Sequence, residues 1–379
     1  MEKFLPEICT IQYGFPFDSS KFSTSEGMPL IRIRDVVRGY SETFTTEEYK
    51  EEYIVNKDDL LIGMDGEFNI AKWGKTPALL NQRVCRLLPM PEVDKNYLFY
   101  FMPSALKRIE EKTPFVTVKH LSAKELNKVK VPLPPLEEQR RIAALLDKVS
   151  DLITKRRAQL DKLDLLVKAR FVEMFGDPGS NPMRWDTVEL SHCLSGIDNG
   201  KSLVCDTKPR QGNWPAILKL SAATYGYYQP EENKAMLNEN EFVNSAEVQV
   251  GDLLFTRKNT PELVGMCAYV YETPGKLMMP DLIFRLNTNE TCNRIFLWKL
   301  INHDLFRENI KAISSGSAKS MSNISKERLC ELKIILPPIE LQQQFVDFVR
   351  QTDQSKLTIQ QSLDKLETLK KALMQQYFG

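Results

Sequence analysis

A chain of 379 residues is long enough for two or three ordinary domains, and 42% apolar with 27% charged residues is the composition of a folded globular protein, which sets fibrous and disordered classes aside. No stretch approaches the roughly eighteen consecutive apolar residues of a membrane span, and the opening MEKFLPEICT has charges and a proline where a secretion signal needs an apolar run. No membrane association and a cytoplasmic location are therefore expected. With 51 Lys and Arg against 50 Asp and Glu, the net charge of +1 argues against a protein that holds nucleic acid by bulk positive charge. Any grip on DNA must come from charge gathered on one face or lent by partners.

In chain order, the first half offers the strand-like runs PLIRIRDV (29–36), DDLLIGM (58–64) and NQRVCRLL (81–88), then a helix-like segment from Tyr97 to Glu111 and a short loop. Leu133-Pro134-Pro135 forces extended backbone, and no Gly or Pro follows from Glu137 to Phe175, so one long helix is expected there. Leu146, Ile153, Leu160, Val167 and Met174 recur every seventh residue, with Ile142, Val149 and Leu163 alongside. That is the seam of a helix packing on another helix. The second half repeats the plan: strand-like PAILKLS, GDLLFTR and DLIFRL, a helix-like segment from Arg294 to Ala312, Leu336-Pro337-Pro338, and a second Gly- and Pro-free run from Glu340 to Phe378. Its seam is Phe345, Val349, Ile359, Leu363, Leu366 and Leu373.

The resemblance of the halves is a duplication. At a shift of 203, Ser122, Leu126, Lys130, Leu133, Pro134, Pro135, Glu137 and Gln139 all meet identical residues, as do LDKL at 160–163 and Phe175-Gly176. Towards the N-terminus the shift declines, to 193 for DDLLIG against GDLLFT, 187 for LIRI against ILKL and 186 for IQYG against IDNG. Loop insertions in the second copy produce such a drift. The expected organisation is α+β, with two variable domains (1–131 and 177–335), each a small sheet or barrel with helices. Each is followed by a well-matched helical stretch (132–176 and 336–379), and the two helices pair antiparallel as a coiled coil.

Catalytic constellations do not assemble in this sequence. Asn181-Pro182-Met183-Arg184 lacks the second proline and the aromatic of an adenine methyltransferase site. Ile197 to Ser202 lacks the first glycine of a P-loop. Pro280-Asp281 with Glu331-Leu332-Lys333 spells a loose nuclease pattern, but its first-copy counterparts, Asn81-Gln82 and Lys128-Val129-Lys130, keep no carboxylate. Seven scattered cysteines without a C-x-x-C pair, and three histidines, point to ordinary reduced thiols rather than a metal site or a disulfide framework. A binder, not an enzyme, is expected.

LPPLEEQRRI and LPPIELQQQF entering long helices, VKHLS and MSNIS just ahead of them, and NPMRW opening the second half resemble the specificity subunits of type I restriction-modification systems over essentially the whole chain. NPMRW has no counterpart in the first half. The resemblance implies two target-recognition domains that each read one half of a bipartite, asymmetric double-stranded DNA site, with the paired helices fixing the spacer. It also implies partners: two modification (methyltransferase) subunits, which carry S-adenosylmethionine, and restriction/translocase subunits, which use ATP and Mg. This chain itself would hold no cofactor and no metal. Two other readings remain: the recognition subunit of a related system with a fused methylase-nuclease, and a coiled-coil scaffold holding proteins with its two heads.

Major-groove reading favours Arg or Lys towards guanine and Asn or Gln towards adenine. The candidates in the first half are Arg32, Arg34, Asn81, Gln82, Lys119 and His120. In the second they are Lys219, Tyr225, Arg257, Lys258, Asn259, Lys319 and Ser320. Lys119 and Lys319 stand out because they sit in loops abutting the copied region.

Overall fold

The computed structural model describes residues 1–74, 77–113, 119–315 and 321–379. The chain divides into two compact units, Met1–Ala158 with Gln360–Gly379, and Gln159–Ile359. Each long helix therefore gives one part to each unit. The first unit centres on a four-stranded antiparallel sheet in the order Cys9–Tyr13, Val84–Pro89, Leu60–Gly63, Asn69–Lys72. The second centres on Leu194–Asn199, Ile283–Thr288, Leu253–Thr256, Cys267–Tyr269, in the same order. Beside each lies a second, mixed sheet with a parallel pairing, Leu30 opposite Leu79 in one unit and Ala216 opposite Leu277 in the other. A two-stranded sheet closes each domain, Glu2–Phe4 with Lys130–Pro132 and Thr187–Glu189 with Lys333–Ile335. Both units are α+β, as expected.

Two expectations need correction. PLIRIRDV is not one strand: the strand ends at Ile31, and Ile33–Arg38 is a helix, because the Asp35 carboxylate reaches back to the Arg32 N–H (2.9 Å) and Gly39, at φ 73°, ends the helix in a left-handed turn. The segment from Arg294 to Ala312 is not one helix either. It breaks into Arg294–Ile301 and Arg307–Ala312. Asn302 leaves the helical path to bond both backbone groups of Cys267, accepting from its N–H (2.9 Å) and donating to its carbonyl (2.8 Å). The matching first-half segment, Lys95–Lys112, is continuous.

The long helices run Leu136–Phe175 and Ile339–Phe378, 40 residues and about 60 Å each. The seventh-residue positions are buried or half-buried throughout. Inside the first unit the two helices run antiparallel, with Arg157 salt-bridged to Glu367 (2.6 Å) and the Phe378 ring 5.2 Å from Tyr97 on the domain helix. Inside the second they do likewise: Lys356 pairs with Asp164, and Phe171 and Phe175 each meet Phe345 at 5.4 Å. Each globular core thus includes the start of one helix and the end of the other, Leu146 with Phe378 in the first and Phe345 with Phe171 in the second.

The glutamine of the duplicated motif explains why each helix starts where it does. Gln139 is 1% exposed, accepts from the Asp94 N–H (2.9 Å) and donates to the Glu92 and Pro134 carbonyls (3.2 and 2.9 Å). Gln342, fully buried, repeats this on Asn293 (2.9 Å), Thr291 (3.1 Å) and Pro337 (2.8 Å). The side chain fastens the helix start to the cap of the domain helix. Replacing Gln139 by either Ala or Leu is expected to cost about 1–3 kcal/mol, since what is lost is bonding to buried backbone rather than volume. Denaturant unfolding reads this out, and a neutral Gln139→Leu would refute the role.

Candidate nucleic-acid interface

At one end of each central sheet four chain segments converge. In the first unit these are the residues after Tyr13, the turn after Gly63, the approach to Val84 and the segment 119–121. Phe15 bridges Asn81 in parallel, the Gln82 N–H donates to the Phe15 carbonyl (2.9 Å), the Met64 N–H to the Arg83 carbonyl (2.9 Å), and the Leu121 N–H to the Met64 carbonyl (2.7 Å). In the second unit Lys201 bridges Pro280, the Asp281 N–H donates to the Lys201 carbonyl (3.1 Å), the Arg257 N–H to the Leu282 carbonyl (3.0 Å), and the Ile324 N–H to the Arg257 carbonyl (2.8 Å). The two tips therefore share one backbone frame.

The glycines in IQYG and IDNG are part of that frame. A Cβ on Gly14 would stand 2.0 Å from the Asn81 carbonyl oxygen, and one on Gly200 would stand 2.0 Å from that of Pro280. Gly14→Ala must push the crossing segments apart, at a cost of at least about 1–3 kcal/mol. It is expected to lower the unfolding midpoint and to disturb the first tip alone, which proteolysis of that loop would register.

Asn81, Gln82, Lys119 and His120 do gather at the first tip, and Arg32 and Arg34 stand beside it, on the short helix whose Ile33 packs against Gly63. Their side chains differ in freedom. Asn81 is 7% exposed and its amide oxygen accepts from the Gln82 N–H (2.9 Å), so it shapes the turn. The Lys119 ammonium is held on the Glu110 carbonyl (3.0 Å) and carboxylate (3.4 Å). Arg34 is half-exposed beside Asp35. His120 Nδ1 lies 2.5 Å from the Asp65 carboxylate and 3.2 Å from the Arg83 guanidinium.

At the second tip Arg257 lays its guanidinium over the Phe284 ring (4.8 Å) and reaches the Asn323 side-chain oxygen (3.3 Å), while Lys258 is exposed and pairs with Asn323 through the backbone. Asn259, 7% exposed, caps Thr260 and donates to Thr224 (3.1 Å). Tyr225, 57% exposed, follows directly. Lys219 lies just ahead of the short helix Ser221–Thr224 that Tyr225 follows, 3.5 Å from Glu232, whose carboxyl is held below its usual range first by the Ser221 hydroxyl and then by Lys219. Lys319 and Ser320 lie outside the described residues.

Asp65, Arg83, Lys201 and Asn323 belong to the tips and escaped the sequence reading. Arg83 carried a signal only in three dimensions: its backbone takes a left-handed φ of 70°, uncommon for arginine.

Behind each tip sits an arginine, buried in the first unit and part-buried in the second, that fastens the second sheet to the first. Arg86, 8% exposed, bonds Asp59 (2.9 Å), Gln12 (2.5 Å) and the carbonyls of Ile54 (2.7 Å) and Glu52 (2.8 Å). Arg285 does the same with Asp252 (2.9 Å) and the carbonyls of Ser245 (3.3 Å) and Glu247. The segments so held, 52–54 and 245–247, border the sheets that carry Arg32 and Lys219.

Cysteine chemistry is absent from this region. All seven cysteines are free thiols, five of them buried, and burial raises the Cys85 thiol to about 12. Among the described residues no three His, Cys, Asp or Glu side chains converge as metal ligands, and no helix is long and apolar enough to cross a membrane. Asp281 stands at the second tip, whereas Lys333 is ion-paired with Glu189 (3.0 Å) on the two-stranded sheet.

Two copies of one frame ending in two different tips have a family counterpart. Residues 1–162 and 202–370 match the family described as type I restriction modification DNA specificity domain. The chain belongs to the type I restriction-modification specificity-subunit family. It is 40% identical over 166 residues to the Escherichia coli EcoBI specificity subunit, a match covering 43% of this chain and 35% of that one. It is 23% identical over 398 residues to the Methanocaldococcus jannaschii MjaVIII specificity subunit, covering 91% and 87%. The chain spans only about a third of the length of EcoBI and of EcoEI, 35% and 36%. The fold resembles the crystal structure of the M. genitalium S subunit, with a TM-score of 0.62 at 14% identity over 100% of this chain and 96% of that one. A further structure, from work on complex assembly of the type I system, aligns with a TM-score of 0.55 at 18% identity.

Proposed function

We propose that this specificity-family chain is a non-catalytic DNA-reading subunit that recognises a bipartite, asymmetric site in double-stranded DNA and directs methyltransferase and restriction partners to it in the cytoplasm. The observation that carries the proposal is the duplicated frame with chemically different tips: one scaffold, two ligands. Each tip presents exposed donors, Arg83 and His120 in one unit, Lys201, Lys258 and Tyr225 in the other, of the kind that reads base edges or holds phosphates. The near-zero net charge fits a subunit whose phosphate contacts come partly from its partners.

The antiparallel helices act as a coiled-coil ruler that sets the unread spacer between half-sites, and with the adjoining surfaces they seat two modification subunits. Those subunits supply S-adenosylmethionine and methylate adenine; the restriction subunits supply ATP-driven translocation with Mg. This chain supplies neither cofactor. Mixed with its modification subunits, the chain is expected to protect one bipartite sequence in a footprint and to shift it in a gel far more strongly than random DNA. A chain that binds neither methylase nor DNA under these conditions overturns the proposal.

A further inference from the structure

The shared frame allows the two tips to be compared position by position. Asp65 pairs through the backbone with His120, and Lys258 with Asn323, in the same antiparallel arrangement. The hydrogen bond from Met64 to Arg83 recurs from Arg257 to Leu282, and that from Gln82 to Phe15 recurs from Asp281 to Lys201. Besides Phe15 with Lys201, four positions are thus matched in backbone hydrogen bonding and mismatched in chemistry: Asp65 with Lys258, Gln82 with Asp281, Arg83 with Leu282, His120 with Asn323. Every one is exposed or half-exposed, and they adjoin one another at the end of the sheet.

A side chain bonded into the frame common to both copies keeps its chemistry where the bonds are the same, as Gln139 and Gln342 do. A position facing a ligand follows the ligand. We infer that these four pairs are the specificity-determining set of the two domains, so that the bases read at each half-site follow from which four side chains stand on a common frame. The inference rests on the DNA-reading function proposed above.

The first set is the more committed. Arg83, with 53% of its side chain exposed, is steered by the Asp65 carboxylate at 3.7 Å and by His120 at 3.2 Å, and its left-handed backbone fixes where the side chain leaves the turn. A guanidinium steered through Nη1 still presents Nε and Nη2, a pair of donors that matches the two acceptors, N7 and O6, that guanine shows in the major groove. Arg83 is assigned the guanine of the first half-site, with Asp65 and His120 as positioning residues. The second set has a different character: the Asp281 carboxylate accepts from cytosine N4, and Leu282 offers an apolar contact to a thymine methyl.

The test uses the complete chain with its modification partners and maps the methylated motif for the parent and for two variants. The fourfold exchange Asp65→Lys, Gln82→Asp, Arg83→Leu, His120→Asn is expected to change the bases of one half-site, leaving the other half and the spacer as they were. Arg83→Gly suits the left-handed backbone and keeps the turn. It is expected to cut affinity for the cognate first half-site by about 10- to 100-fold, the worth of one bidentate guanine contact, with affinity for random DNA unchanged. A parent that yields no bipartite motif sinks the DNA-reading function itself. A parent with a clear motif, joined by variants that keep both its half-sites and its affinity, overturns this inference and leaves that function standing.

Discussion

Replacing Arg86 by Met is expected to destabilise the first unit by about 3–5 kcal/mol, because it takes from the part-buried Asp59 carboxylate its nearest cation, leaving it the Asn56 N–H and Lys95 at 3.8 Å, and removes the guanidinium from the carbonyls of Ile54 and Glu52 and from the Gln12 amide oxygen. For a unit of this size that lowers the unfolding midpoint by on the order of 10 °C. Removing both charges, Arg86→Met with Asp59→Leu, is expected to recover part of the loss, since the uncompensated carboxylate goes with it. Calorimetry on the single and double variants decides between a latch and a passive ion pair: equal losses in both would contradict the latch. Arg285→Met should do the same to the second unit alone. In the DNA-bound complex each variant blurs recognition at its own half-site, because the sheet bordering the tip is no longer fastened to the central one.

Phe171→Ala is expected to cost a similar amount, about 3–5 kcal/mol, through the cavity it leaves. Phe171 is fully buried and its ring lies 5.0 Å from Phe175, 5.8 Å from Phe296, 5.0 Å from His303 and 5.4 Å from Phe345. It therefore joins one long helix, the other long helix and the domain helix of the second unit. Val172, the next residue, is 37% exposed, and Val172→Ala should stay within about 0.5 kcal/mol. Limited proteolysis at the junction of domain and helix, alongside urea unfolding, separates the two. Similar behaviour in both variants would contradict the packing described for Phe171.

Much of the architecture was legible because duplication writes the same constraint twice. The constant shift of 203 marks positions held by bonding, such as Gln139 and Gln342, and the smaller shifts fall where loops of the second copy are longer. Arg86 and Arg285 were within reach, since they stand 199 positions apart beside VCRL and IFRL, an intermediate step in the same drift. A lone arginine in a strand reads as a solvated face, and only its bonds to the carbonyls of a distant segment show that it turns inward. The helix break at Asn302 was hidden for a related reason: the sequence is apolar and helix-like on both sides, and the deciding bonds go to Cys267, far away in the chain.

The tips were the least legible part. Asn81 and Asn259 have the side chains expected of base readers, yet they spend them on their own turns. Asp65 and Arg83 looked ordinary because their significance lies in the chain crossing that brings them to His120.

The central claim, one frame with two readers, is tested most directly by mapping methylated adenines across a genome with and without this gene, in the presence of its modification subunits. The account predicts a single two-part motif with a fixed spacer that disappears with the gene, one of whose halves alone changes when residues 65, 82, 83 and 120 are exchanged for their counterparts. A methylation pattern indifferent to the gene, or a motif without two separable halves, would contradict it.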